Sequence, residues 1–371
     1  MESLSLKHTP KSDHKSPVEL EFECFENRLR TIQLGLEILT SVCATLPDSE
    51  IPPEDDEEDE EDGEEMDDGE DADALMATDK PPTTSRPDLP RFAFLVSPLL
   101  SLIEPTQLSF PPPGSPSIHP PTTSVLGAIH LCALECLNNL FLSLATSHRS
   151  LTEAEMTQGT TIWNSLWTAL EKVGDPRTAK FAKDQKIYWE TAIGVLWGTS
   201  IVFKGVIVPE EAQVQLLIGL ADVYTRDDQM KVKLVGTLEC LAQHPQSIGA
   251  NRVRSTSLRF VCPRLIFLVQ SIASYLVSLL PTSTPDQASV ESTLQAASAL
   301  VDIYSDETMS YDINFRENNI LSKLVDAVEP IRKLVRGVNK KKPGGNELKR
   351  RGEEVRDNLV EFIKYRRSLP L

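Results

Sequence analysis

The phrase "ALECLNNL", Ala133 to Leu140, decides the fold, because related phrases recur along the chain. "GLEILTSV" (Gly35 to Val42), "TLECLAQH" (Thr237 to His244) and "ALVDIYSD" (Ala299 to Asp306) keep its order: a small or polar residue, a leucine, an acidic or neighbouring polar residue, then more apolar positions. Apolar residues three and four apart share one face of a helix, so each phrase reads as a core-facing helix. From Ile193, in "TAIGVLWG", to Leu238 is 45 residues, inside the roughly 40 to 47 of HEAT and armadillo units. The reading is an all-α chain, an α-solenoid of HEAT- or armadillo-like repeats, without a convincing alternating strand.

Helix starts and stops fill in the rest. Ser16-Pro17-Val18-Glu19 is a capping box with Pro at the first helical position, and a stripe through Leu29, Ile32, Leu36, Leu39 and Cys43 follows it until Pro47. A short helix is expected over Phe92 to Ile103 and another over Val125 to Ala145. Thr152 with Glu155 caps a helix running to Val173, "GDP" at Gly174 to Pro176 breaks the chain, and helices follow around "YWETAIGVLWG", after Pro209 and after Asp227 or Asp228. Three more close the chain: "TLQAASALVDIYSDE", "NILSKLVDAVEPIRKLVRGV" and "ELKRRGEEVRDNLVEFIKYRR". The chain therefore divides into first helices (1–46), an acidic and Pro-rich disordered loop (47–90) and a solenoid (91–371) with a second Pro-rich loop over 104–123.

One spacing is too long. Leu238 to Leu300 is 62 residues, and "VRSTSLRFVCPRLIFLVQ", 253–270, lacks acidic residues and matches no helix pattern around Pro263. Removing those 18 residues restores a spacing of 44. Val-Arg and the terminal Gln fit the ends of a short in-phase intron, so the segment reads as a retained-intron insertion.

Charge is the second signal. The formal net charge is −18, and sixteen of those charges sit in one run: Glu54, Asp55, Asp56, Glu57, Glu58, Asp59, Glu60, Glu61, Asp62, Glu64, Glu65, Asp67, Asp68, Glu70, Asp71 and Asp73. The remaining body is near −2. An acidic tether on a nearly neutral body calls for a basic partner and argues against direct nucleic-acid binding, since phosphates are repelled. A solvated loop that keeps the chain soluble is the plainer alternative. The C-terminal third is basic, and "NKKKPGG", with Lys340, Lys341 and Lys342, reads equally as a nuclear-localisation patch or as last-turn charge favourable to a helix dipole.

Catalytic chemistry is not legible. The six histidines are scattered, and no H-E-x-x-H, phosphate-binding loop, dinucleotide fingerprint or nucleophile elbow occurs. No enzyme activity, cofactor or metal is expected. Cys132 and Cys136, one turn apart, read as core rather than as a metal pair, and Trp163 and Trp167 as core rather than as a peptide grip. The six cysteines include no C-x-x-C and fit a reducing compartment. The longest apolar run, Leu265 to Leu280, is short of a membrane span and carries Gln270, so no membrane partner is expected.

The ending "LQAASALVDIYSDETMSYDINFRENNILSKL" (Leu294 to Leu324), followed by "GNELKRRGEEVRDNLVEFIKYRR" (Gly345 to Arg367), resembles the C-terminus of the symportin family. "LRTIQLGLEILTSVCATLPD" (Leu29 to Asp48), with an acidic loop directly after it, is similar to the same family's first HEAT repeat. The resemblance implies a nuclear-import adaptor and chaperone that shuttles between cytoplasm and nucleus, a monomer holding the basic large-subunit ribosomal proteins that bind 5S ribosomal RNA and carried by the importin transportin. The acidic loop would then cover surfaces that later bind RNA. Family members also have an N-terminal armadillo half preceded by a basic import signal. Neither is present here, so the chain reads as a C-terminal portion in which transportin binding is in doubt. A histone chaperone or a general importin-like scaffold is the alternative that the same acidity would serve.

Overall fold

A computed structural model describes residues 16–44, 92–111, 117, 119–146, 151–178, 182–224, 228–244, 263–281 and 289–369. Among the described residues there are twelve α-helices and no strand. They are α1 (Pro17–Ala44), α2 (Phe92–Ile103), α3 (Pro120–Thr146), α4 (Glu153–Val173), α5 (Lys183–Val202), α6 (Glu211–Val223), α7 (Asp228–Ala242), α8 (Pro263–Ser278), α9 (Val290–Ile303), α10 (Asp312–Glu317), α11 (Ile320–Arg336) and α12 (Gly345–Ser368).

Local chemistry explains the helix starts. The Ser16 backbone N–H donates to Glu19 Oε2 at 2.7 Å while the Glu19 N–H donates to Ser16 Oγ at 3.3 Å, closing the first capping box. Thr152 and Glu155 close the second in the same way at α4, which ends at Gly174 with φ 99°, a conformation that favours glycine.

Two starts correct the sequence reading. The second Pro-rich loop ends sooner than residue 123, because α3 begins at Pro120: His119 Nδ1 lies 2.7 Å from Thr122 Oγ1 and accepts the Thr122 N–H, acting as the cap, and Pro120 and Pro121 fall in the first turn, where a missing N–H costs nothing. Pro263 likewise opens α8 instead of breaking it. Residues 263–270, assigned above to an insertion without helical pattern, form the first two turns of α8 and bury Leu268 and Val269. Residues 253–262 lie outside the described residues, as does the acidic loop over 47–90.

The helices pair as hairpins, α2 with α3, α4 with α5, α6 with α7, α8 with α9 and α11 with α12, and the hairpins stack. Helices α1, α3, α5, α7, α9 and α12 form one continuous row, each packed on the next. The second row is less continuous: α2 packs on α4, α6 on α8 and α8 on α11, while α10 braces α8 and α11. The side of the first row turned away from the second row is its open face. The phrase that defines the repeat supplies the core of this row: Leu36, Leu134, Ile193, Leu238 and Leu300 are all buried. α3 is long and apolar enough to cross a membrane by length and composition, yet it is a core helix held between α1, α2 and α5, with Leu134, Leu137 and Phe141 fully buried.

Candidate partner-binding surface

The residue after the phrase leucine lies off the core of the first row in α1, α3 and α7 and is buried in α5. It is Glu37 in α1, Glu135 in α3, Gly194 in α5 and Glu239 in α7; in α9 the acidic residue falls one place later, at Asp302. Glu37 and Asp302 are exposed, and Glu135 and Glu239 are half-buried. The repeat thus sets carboxylates along the open face of a row whose helix axes stand about 8–10 Å apart.

The carboxylates interact across helices. Burial, with the Glu37 charge beside it, raises the Glu135 carboxyl above its ordinary range. Glu239 is pushed up to about 7 by burial first and then by the charge of Asp302, with Lys204 and the Gln295 amide opposing. Gln295 Nε2 donates to Glu239 Oε2 at 3.0 Å, and Arg351 from α12 donates to Gln295 Oε1, so one polar chain links α7, α9 and α12. Lys204 beside Glu239, Lys233 near Gly194 and Arg351 on Gln295 offset part of this charge, and the Glu37–Glu135 pair favours a cation arriving from outside.

Two glycines let the row close up between them. A Cβ on Gly194 would stand 2.5 Å from Asn138 Oδ1, and one on Gly236 would collide with the Trp197 indole. The Trp197 ring therefore lies over α7 on the open face, half-buried, between Glu135 and Glu239 in the row. Sequence reasoning missed it and weighed Trp163 and Trp167 instead. Those two are core, as read: their ring centroids are 5.9 Å apart, and the Trp163 indole donates to Gln213 Oε1. The signal that finds Trp197 is its place in "AIGVLWG", three residues beyond Gly194 and so on the same side of α5.

The other candidates resolve plainly. Cys132 and Cys136 are buried with thiols pushed up to about 11 by burial, so both stay protonated; Cys136 Sγ lies 2.9 Å from Thr40 Oγ1 across the α1–α3 contact. Among the described residues no group of three or more His, Cys, Asp or Glu could hold a metal ion. Lys340, Lys341 and Lys342 are exposed in the loop before α12. Several neighbouring basic residues are paired, Arg332 with Glu329, Arg350 with Glu347 and Lys364 with Glu361. The sixteen carboxylates from Glu54 to Asp73 lie outside the described residues, in the chain between the end of α1 and the start of α2.

No curated protein matches the chain. A family model described as "SYO1-like, TPR repeats" matches residues 93–370, from α2 through α12. TPR, HEAT and armadillo units are all stacked helical repeats, so that description agrees with the hairpin array. The match spans most of the 371 residues, and the chain belongs to the SYO1-like family of helical-repeat proteins, the symportin family.

Proposed function

We propose that this protein is a non-enzymatic chaperone and nuclear-import adaptor for the basic large-subunit ribosomal proteins that associate with 5S ribosomal RNA, moving with them between cytoplasm and nucleus. Membership of a scaffold-type repeat family supports the class. The observation that carries the reading is the carboxylate at one register of three first-row helices, Glu37 in α1, Glu135 in α3 and Glu239 in α7, with Gly194 of α5 between the last two and Asp302 of α9 beside Glu239. An extended segment rises about 3.3 Å per residue, so carboxylates on neighbouring helices about 10 Å apart meet basic side chains about three residues apart, and Glu135 and Glu239, two helices apart, meet them about six apart. The sixteen acidic residues from Glu54 to Asp73 add a second acidic element of the same sign. Together they attract a cationic protein and repel nucleic acid, which suits a chaperone that keeps RNA-binding surfaces covered until handover.

The test is capture from a nuclear extract with the full chain and with a variant carrying Glu37→Gln, Glu135→Gln, Glu239→Gln and Asp302→Asn. The 5S-associated ribosomal proteins are expected on the wild-type chain and depleted about tenfold or more on the variant. Recovery of core histones in their place would favour the histone-chaperone alternative. Adding transportin to the same assay reads whether this chain engages that importin.

A further inference from the structure

The C-terminal end of the array carries a feature of opposite sign. A cleft of about 450 Å³ opens between α10, the start of α11 and the last turn of α12. Its lining contains three arginines, Arg316, Arg366 and Arg367, and no carboxylate. The acid bonded to them is Asp312, buried behind them and engaged on both oxygens, with Arg316 Nε donating to Oδ2 at 3.0 Å and Arg366 Nη2 to Oδ1 at 2.5 Å, while Glu307, bonded to Tyr365, lies near Arg366 and outside the lining. One carboxylate therefore answers two guanidinium groups, and Arg367 adds a third at the cleft. The first turn of α11 holds no acidic residue and its start no side-chain cap. The rest of the wall is apolar at Phe315, Leu321, Val325 and Leu369 and polar and uncharged at Asn319 and Ser322.

We propose that this cleft binds a carboxylate-bearing peptide segment, with the carboxylate on Arg316 and Arg367 and an aliphatic side chain against Leu321 and Val325. Guanidinium groups take carboxylates in paired hydrogen bonds, and a cleft of this size holds one or two residues of a peptide. Nucleic acid fits less well. Single-stranded recognition needs an exposed aromatic face on which a base can stack, and the face of Phe315 is taken: the ring is buried, with the Arg366 guanidinium 4.2 Å from its centroid. This site is independent of the acidic ladder and of the cargo proposed for it.

The experiment uses the full chain and a fluorescein-labelled peptide ending in Asp-Glu-Asp-Leu with a free carboxylate, read by fluorescence anisotropy. Arg316→Ala and Arg367→Ala, both exposed residues whose loss leaves the Arg366–Asp312 pair in place, are each expected to weaken binding about tenfold or more. Arg350→Ala, on α12 but outside the cleft lining, is expected to bind as the wild type does. Amidating the peptide and neutralising its acidic side chains separate a terminal carboxylate from a side-chain one, whichever change removes binding. Equal binding by all four proteins overturns the proposal, and so does a single-stranded RNA oligonucleotide that binds with this arginine dependence while the peptide does not.

Discussion

The two ends of the helical row are finished differently. α12 closes its end with charge: Glu347, Arg350, Glu353, Glu354, Asp357, Glu361 and Lys364 are exposed, while Leu359 and Phe362 face inward. α1, at the other end, packs on α3 through Leu29, Leu36 and Cys43, yet it exposes Leu20, Leu34, Ile38 and Val42 on the opposite side. Helices inside the row need two apolar flanks, one for each neighbour, and α1 has the composition of such a helix with one neighbour among the described residues. The difference teaches that in a stacked array the sequence of a helix reports how many sides it buries.

The largest effect expected from breaking this comparison is at the charged end. Arg366→Ala leaves Asp312 buried without its closest partner and should cost about 3–5 kcal/mol in chemical denaturation. Replacing both residues together, Arg366→Met with Asp312→Leu, should recover most of that loss, and a double variant no more stable than the single one would show that the pair is not what is being measured.

Next come two substitutions at the same position of the repeated phrase. Leu300→Ala, in the interior of the row, should cost about 3–4 kcal/mol, and Leu36→Ala, in α1, about 1–2 kcal/mol, because α1 has fewer neighbours to leave a rigid cavity. Hydrogen exchange should show α1 opening without the rest of the array. Equal costs and a single cooperative opening would erase the contrast between edge and interior.

Much of this architecture was legible beforehand. The capping boxes at Ser16 and Thr152 and the bounds of α2 depend on residues adjacent in sequence, and local chemistry suffices for them. Pro120 and Pro263 misled because a proline that starts a helix and one that ends it look alike until the neighbouring turn is known, and His119 is not among the usual capping residues. α10, at six residues, carries too few apolar positions to show a period. The acidic register was present in the phrases, but the meeting of Glu239 with Asp302 depends on a one-residue offset in α9 and on helix packing that no single phrase contains.

A smaller effect is expected at that meeting point. The folded-state value of Glu239, about 7, lies above the ordinary 4.5. Its protonated form is therefore favoured by folding, so the contribution is complete below about pH 4.5 and is lost as pH rises through 7. Glu239→Gln should flatten that part of the stability profile and raise stability at pH 8 by about 1–2 kcal/mol, allowing for partial exposure. A variant that follows the wild-type curve would remove Glu239 as its source.

Smallest in stability is the exposed side of α1. Leu34→Gln with Ile38→Gln should change the unfolding free energy by less than about 0.5 kcal/mol, while binding of a hydrophobic dye falls. Unchanged dye binding would mean that these side chains are already covered.

The central claim is that the acidic elements draw in a basic partner, and calorimetry across a salt series tests it most directly. A 5S-associated basic ribosomal protein is titrated into the wild-type chain, into the four-residue ladder variant, and into a chain with the Asp and Glu between Glu54 and Asp73 replaced by Asn and Gln. The account predicts the tightest binding and the steepest loss with salt for the wild type, since the Debye length shrinks to about 8 Å near 0.15 M. Both variants should bind more weakly with shallower slopes, the loop variant mainly through a slower on-rate. Equal affinity and equal salt slope for all three would contradict the account.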